Sequence, residues 1–194
     1  MNEHHLLLKN LITAIHPLSE TDWDLFSTIW SPIDFKRKEI VTAAGETEKY
    51  LYFVIEGVQR VYYFDEQQRE ATLVFMYAPS FGGVIDSLLL QKPSRYFFET
   101  LTPSKFLRTS AFDLFEQMEK SKDIQKLVQK GTTQTLSGLL ERMVELQCYS
   151  SEEKFTTLLK RSPHILNLVP HKYIANYIGI DATNFSKLVN QVKI

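Results

Sequence analysis

The chain has 194 residues, 44% of them apolar and 23% charged, enough to bury a sizeable core as one large domain or two small ones. Its net charge of -1 gives no global sign of an anionic partner, and a single cysteine, Cys148, excludes an internal disulfide and argues against a thiolate-ligated zinc or iron-sulfur centre. No apolar run is long enough to cross a bilayer, and "MNEHHLLLKNLITAIHPL" has acidic and polar residues where a signal peptide wants a basic head, so a soluble cytoplasmic protein is expected.

Residues 4 to 30 carry apolar residues at helical spacing (Leu7, Leu8, Leu11, Ile12, Ile15, then Trp23, Leu25, Phe26, Ile29, Trp30). The pattern breaks at Pro17, and Ser19 is placed to cap a second helix. From Ile33 to Thr109 the texture changes to short β-rich runs: "EIVTAAGE", "YLYFVIEGVQRVYYFD", "ATLVFMYAP", "SRYFFETLT" and "KFLRTS". Turn signals at Gly45, Gly57, Asp65 to Gln68, Pro79 and Pro103 space these runs as an antiparallel sandwich or barrel would. Within this region "GGVIDSLLLQK" predicts one short helix. The aromatics Tyr62, Tyr63, Phe75, Tyr77, Phe97 and Phe98 either wall an effector pocket or simply fill the barrel, and the second is the simpler reading.

Residues 122 to 149 form the longest helical candidate, with apolar positions 124, 127, 128, 136, 139, 140, 143 and 144. That stripe exceeds what one surface helix requires. It is read either as packing on its own domain or as a self-association seam, where Gly131 and Gly138 would let two backbones approach. Cys148, at the end of this helix, is expected to be buried and structural. "SSEEKFTTLLKRSP" then opens a helix with Ser150 and Glu153 as a capping box, and Pro163 stops it.

The stretch "VPHKYIANYIGIDATNFSKLV" has the requirements of a helix-turn-helix. Pro170 suits a first helical position, Ala175 is the small residue at the crossing, Gly179 supplies the turn and Asp181 caps the next helix. Ile174, Ile178, Ile180, Phe185 and Leu188 supply its core. The second helix then presents Ala182, Thr183, Asn184, Ser186 and Lys187 outward. Thr183 and Asn184 can hydrogen-bond base edges, and Lys187 can contact guanine or phosphate. A solvated helix face is the competing reading. From Lys154 to Ile194 six cations face Asp181 alone, a balance of +5, so residues 1 to 153 hold -6. The basic end is the end with the helix pair, and Lys154, Lys160, Arg161, His171, Lys172 and Lys193 are candidates for phosphate contact.

The order of β-barrel, long helix and helix-turn-helix, with "LYFVIEGVQRVYYFDEQQREATLVFMYAP", "PSRYFFETLT", "SSEEKFTTLLKRSPHILNLVPHKYIANYIGI" and "DATNFSKLV", resembles the Crp/Fnr family of bacterial transcription regulators. The resemblance covers nearly the whole chain. It implies an α+β fold in three parts: N-terminal helices with an antiparallel β-roll (a double-stranded β-helix of the cyclic-nucleotide-binding kind) as an effector domain over 1–121, a dimerisation helix over 122–149, and a helix-turn-helix DNA-binding domain over 150–194. It further implies a homodimer, double-stranded DNA as partner, RNA polymerase as a further candidate partner, and an effector pocket near Gly82, Gly83, Val84, Ser94 and Arg95.

Three departures limit the analogy. The family's glycine-glutamate pair, whose glutamate holds a ribose hydroxyl, stands here as Gly82 and Gly83. The phosphate-neutralising arginine aligns with Ser94, with Arg95 one position away and so on the opposite strand face. Cyclic AMP is therefore not the expected cofactor. Exposed backbone N-H groups after Gly82 and Gly83 leave another small anion or nucleotide as a candidate effector, and constitutive DNA binding is an equal expectation. In the reader, the family's arginine and glutamate contacts correspond to Ala182 and Thr183, Lys187 matches a basic position, and no β-wing follows before Ile194.

An enzyme is not expected. A cupin-like metal site wants several histidines, and none of His4, His5, His16, His164 and His171 lies between residues 33 and 109. No catalytic triad, phosphate-binding glycine loop or paired carboxylate motif stands out, so neither catalytic nor metal residues are assigned. The alternative function is a small-molecule or nucleotide sensor acting through protein contacts without DNA.

Overall fold

The computed structural model describes residues 3–191; Lys193, one of the cations proposed for phosphate contact, lies outside them. Two helices open the chain, α1 (Glu3–Ile15) and α2 (Glu20–Thr28), and Ser19 caps the second by accepting the Asp22 amide at 3.1 Å. Leu8, Ile12, Trp23 and Phe26 fall on their inner faces and are buried.

Eight strands follow: β1 (Ser31–Phe35), β2 (Ile40–Thr42), β3 (Tyr50–Glu56), β4 (Val58–Phe64), β5 (Glu70–Tyr77), β6 (Ser80–Gly82), β7 (Phe97–Thr100) and β8 (Ser104–Ser110), with the short helix α3 (Ile85–Leu90) between β6 and β7. They form two antiparallel four-stranded sheets, in the orders β1-β8-β3-β6 and β2-β7-β4-β5. β3 and β4 are consecutive, yet they belong to different sheets. The switch occurs at Gly57, whose φ of +92° suits glycine and whose place an added Cβ would contest with the Ser104 hydroxyl and Pro103 carbonyl.

Period-two alternation sorts the side chains. Tyr52, Val54, Val61, Met76, Val84, Phe98 and Phe106 fill the interior of the roll. Phe53 and Leu107, on the opposite face of their sheet, pack with α1, α2 and the helices that follow the roll: α4 (Ala111–Lys120) and the start of α5 (Lys122–Cys148). The carboxy-terminal part comprises α6 (Ser151–Arg161), α7 (Ile165–Leu168), α8 (His171–Tyr177) and α9 (Ala182–Gln191). It packs on the outer face of the second sheet, where Val58, Leu101, Phe75 and Tyr77 join the core of Phe155, Leu158, Ile165, Ile174, Ile178 and Phe185.

The long helix runs as expected, one residue shorter at its end. Beyond its first two turns it leaves the roll: Leu136, Leu139, Leu140, Met143 and Val144 are all exposed. Cys148 is exposed, not buried: Arg142, Glu145 and Leu146 make the contacts of that end of α5 with the carboxy-terminal helices, and Cys148 lies beyond them. α4 was not foreseen. Its signal was present as Ser110, which caps the helix by accepting the Asp113 amide at 3.0 Å. No helix among the described residues is long and apolar enough to cross a membrane.

Candidate nucleic-acid interface and the interior of the roll

The carboxy-terminal helices α8 and α9 cross at a tight turn. Ala175, 3% exposed, allows α8 and α9 to cross closely. α8 ends in a Schellman turn: the Ile180 amide donates to the Ala175 carbonyl at 3.0 Å, the Gly179 amide donates to that of Asn176 at 3.1 Å, and Gly179 takes φ +66°. Asp181 then accepts the Asn184 amide at 2.9 Å and starts α9. Pro170 sits at the N-cap of α8, one position before the first helical residue proposed for it.

With α9 fixed in this way, Phe185 and Leu188 point inward, and Phe155 meets Phe185 edge-on at 5.5 Å. Thr183, Ser186 and Lys187 are exposed on the opposite face, joined by Asn190, which the sequence reading had omitted. Ser186 donates its hydroxyl to the Ala182 carbonyl at 2.9 Å, so only its lone pairs remain free for a partner. Lys187 makes no ion pair among the described residues. Asn184 is a correction: it is half-buried and its amide donates to Ser151 of α6 at 3.1 Å, so it ties α9 to its neighbour. The helical repeat places position 184 on the flank of the inward face, beside position 188 and on its far side from 185.

His171 and Lys172 lie exposed at the start of α8, His171 with its ring 5.3 Å from Phe185 and Lys172 with its ammonium 4.5 Å above Tyr173. Lys160 is exposed and Lys154 partly so. Arg161 is engaged by Glu145 of α5, which holds its charge to the protein.

The proposed effector residues border one short loop, whose Glu46 carbonyl accepts the Ser94 amide at 2.7 Å and whose Glu48 carboxylate faces Gly83 and Val84. Gly82 and Val84 are buried, and Gly83, at φ +112°, lies so that a Cβ would come 3.2 Å from the Tyr50 carbonyl. Of the backbone N-H groups expected to be open, that of Val84 is not: Glu48, 1% exposed, accepts it at 3.2 Å. The same carboxylate also accepts the Thr42 hydroxyl at 2.7 Å and the amides of Lys49 and Tyr50 at 3.0 and 3.2 Å. Burial raises its pKa, and these hydrogen bonds oppose the rise. Ser94 is closed on itself, donating to the Tyr96 carbonyl and accepting the Tyr96 amide, both at 2.8 Å. Arg95 is exposed, in a bend before β7, so the strand parity expected there does not apply.

The aromatic residues divide between the two faces. Phe98 fills the roll. Tyr62 and Phe97 stack at 5.1 Å on the outer face, where Phe75 and Tyr77 meet the carboxy-terminal helices. Among the described residues no group of three or more His, Cys, Asp or Glu side chains could hold a metal.

A family model, the cyclic nucleotide-binding domain, matches residues 32–121. No curated protein matches the chain. Among solved structures, FixK2 from Bradyrhizobium japonicum is similar with a TM-score of 0.77 at 16% identity, covering 84% of each chain. A protein described as a transcriptional regulator of the Crp/Fnr family from Eubacterium rectale gives 0.70 at 15%, covering 89% of this chain and 82% of that one. The catabolite activator protein of Thermus thermophilus gives 0.57 at 18%, covering 91% and 84%.

Residues 32–121 are thus a domain of the cyclic-nucleotide-binding class, an antiparallel roll between helices. The chain as a whole, roll, long helix and carboxy-terminal helix pair, shares the fold of these solved regulators.

Proposed function

We propose that the chain is a cytoplasmic, homodimeric DNA-binding transcription regulator of Crp/Fnr type whose roll does not take cyclic AMP. The observation that carries this reading is the outward face of α9: Thr183, Ser186, Lys187 and Asn190 are exposed together at the helix whose start Asp181 and Gly179 fix. A helix so presented enters a major groove by its N-terminal half. A single lysine on that helix makes per-subunit affinity modest, so the dimer supplies the rest.

The seam on α5 supports dimerisation. Leu136, Leu139, Leu140, Met143 and Val144 are between 43% and 55% exposed, and a Cβ added at Gly131 or Gly138 would meet nothing within 4 Å. Burying such side chains contributes roughly 1.5–3 kcal/mol each when complete, which favours a second copy over solvent. Against a cyclic nucleotide stand the Glu48 carboxylate on the Val84 amide and the aromatic filling of the roll. A second anion at that carboxylate would be repelled. DNA binding without an effector and binding controlled by another small anion are equal readings, and a thermal-shift screen of nucleotides and anions separates them.

Fluorescence anisotropy with a mixed-sequence duplex tests the reading. Affinity should fall by orders of magnitude between about 50 and 200 mM salt if six or more phosphates are contacted, and Lys187→Glu should abolish binding. Indifference to both would instead support a small-molecule sensor acting through protein contacts.

A further inference from the structure

β5 is the outer strand of its sheet, so the peptide groups on its free side have no strand to pair with. Asn176 of α8 takes the place of one. Its Oδ1 accepts the Thr72 amide at 2.6 Å and its Nδ2 donates to the Glu70 carbonyl at 2.7 Å. A carboxamide offers an acceptor and a donor in one plane, as a peptide does, and a carboxylate or hydroxyl would not match both groups in the same way.

Beside it lies Arg60 of β4, 3% exposed. Its Nε donates to Glu99 at 2.9 Å, and its Nη1 donates to Glu70 at 2.6 Å and to the Thr72 hydroxyl at 3.3 Å. The guanidinium lies between two rings, 4.0 Å from the centre of Tyr62 on the roll and 3.9 Å from that of Tyr173 on α8. Glu70 and Thr72 are thus held twice, at the backbone by Asn176 and at the side chain by Arg60. A third contact comes from α5: Arg142, itself buried, donates to the Tyr177 carbonyl at the end of α8 and lies over the Tyr177 ring at 3.3 Å.

We propose that these contacts form a latch that fixes α8, and through the shared core α9, at one orientation to the roll without any ligand. Apolar packing alone is non-directional, whereas a carboxamide on a strand edge and an arginine between two rings set an angle. For its consequence on DNA, though not for its existence, the latch rests on the function proposed above. Two readers on one dimer must meet successive major grooves, so freedom in α8 weakens binding at paired half-sites while leaving one half-site untouched.

The test uses the full chain with Asn176→Asp, which keeps the acceptor for Thr72 but loses the donor to Glu70, and with Tyr173→Ala, which removes one ring of the stack. Tyr173→Phe keeps the ring and serves as control. Hydrogen exchange over residues 70–77 should quicken about tenfold or more in the first two variants, with residues 104–110 unchanged and the control matching the parent. Affinity for a duplex with two half-sites should fall about tenfold, with that for a single half-site unchanged. Unaltered exchange over 70–77 in both variants, or an equal loss on both duplexes, overturns the latch. If the parent binds no duplex at any salt, the DNA-reading function fails, and the exchange data alone decide the latch.

Discussion

Burial lifts the Glu48 carboxyl above its ordinary value against four hydrogen bonds that favour the charged form. A folded-state pKa above the unfolded one means that the group supports the native state fully at low pH. That support is lost as pH rises through the raised value. Replacing Glu48 by Gln removes the titration. The stability of the variant relative to the parent should therefore climb as pH rises above the ordinary glutamate range, as read by urea denaturation at a series of pH values; a constant difference would contradict the assignment. At Gly179 the constraint is conformational. The residue has φ +66°, and an added Cβ would stand 3.3 Å from Leu146 Cδ2, so Gly179→Ala should cost on the order of 1–2 kcal/mol in the same assay. The glycine was legible because turn, crossing residue and cap fall at fixed offsets within a few residues. Glu48 was not, since a lone glutamate before a strand gives no sign that a loop 36 residues away will close over it. Asn184 misled for a related reason: its polarity suits a base edge, but helical phase turns it toward Ser151.

Helices with a long period were readable at the level of the element. The apolar stripe set α5 within one residue of its observed end, and the capping box at Ser150 and Glu153 closes in both directions, with the Glu153 carboxylate held below its usual pKa by the Ser150 amide. Strands of three residues, β2 and β6, have too few positions for alternation to register. The exposed stretch of α5 makes its own prediction. Leu140→Asp should sediment as a monomer at micromolar concentration, where the parent sediments as a dimer, because Leu140 is 54% exposed in the single chain and the substitution breaks no internal packing. Equal sedimentation of the two would remove the seam from the account.

For the whole molecule, the order of the parts followed from sequence and their docking did not. Thr72 and Asn176 stand 104 residues apart, and Arg60 meets Tyr173 across a similar gap, so no local pattern could join them. That docking leaves the outer face of α9 exposed, on the same chain as the exposed apolar stripe of α5. The central claim is that two such readers recognise duplex DNA together. Selection of bound duplexes from a random pool at physiological salt tests it most directly. The account predicts an enriched near-palindrome whose half-sites are centred about 10 base pairs apart, absent for Lys187→Glu. A pool that emerges unenriched, or one enriched equally by Lys187→Glu, would contradict it.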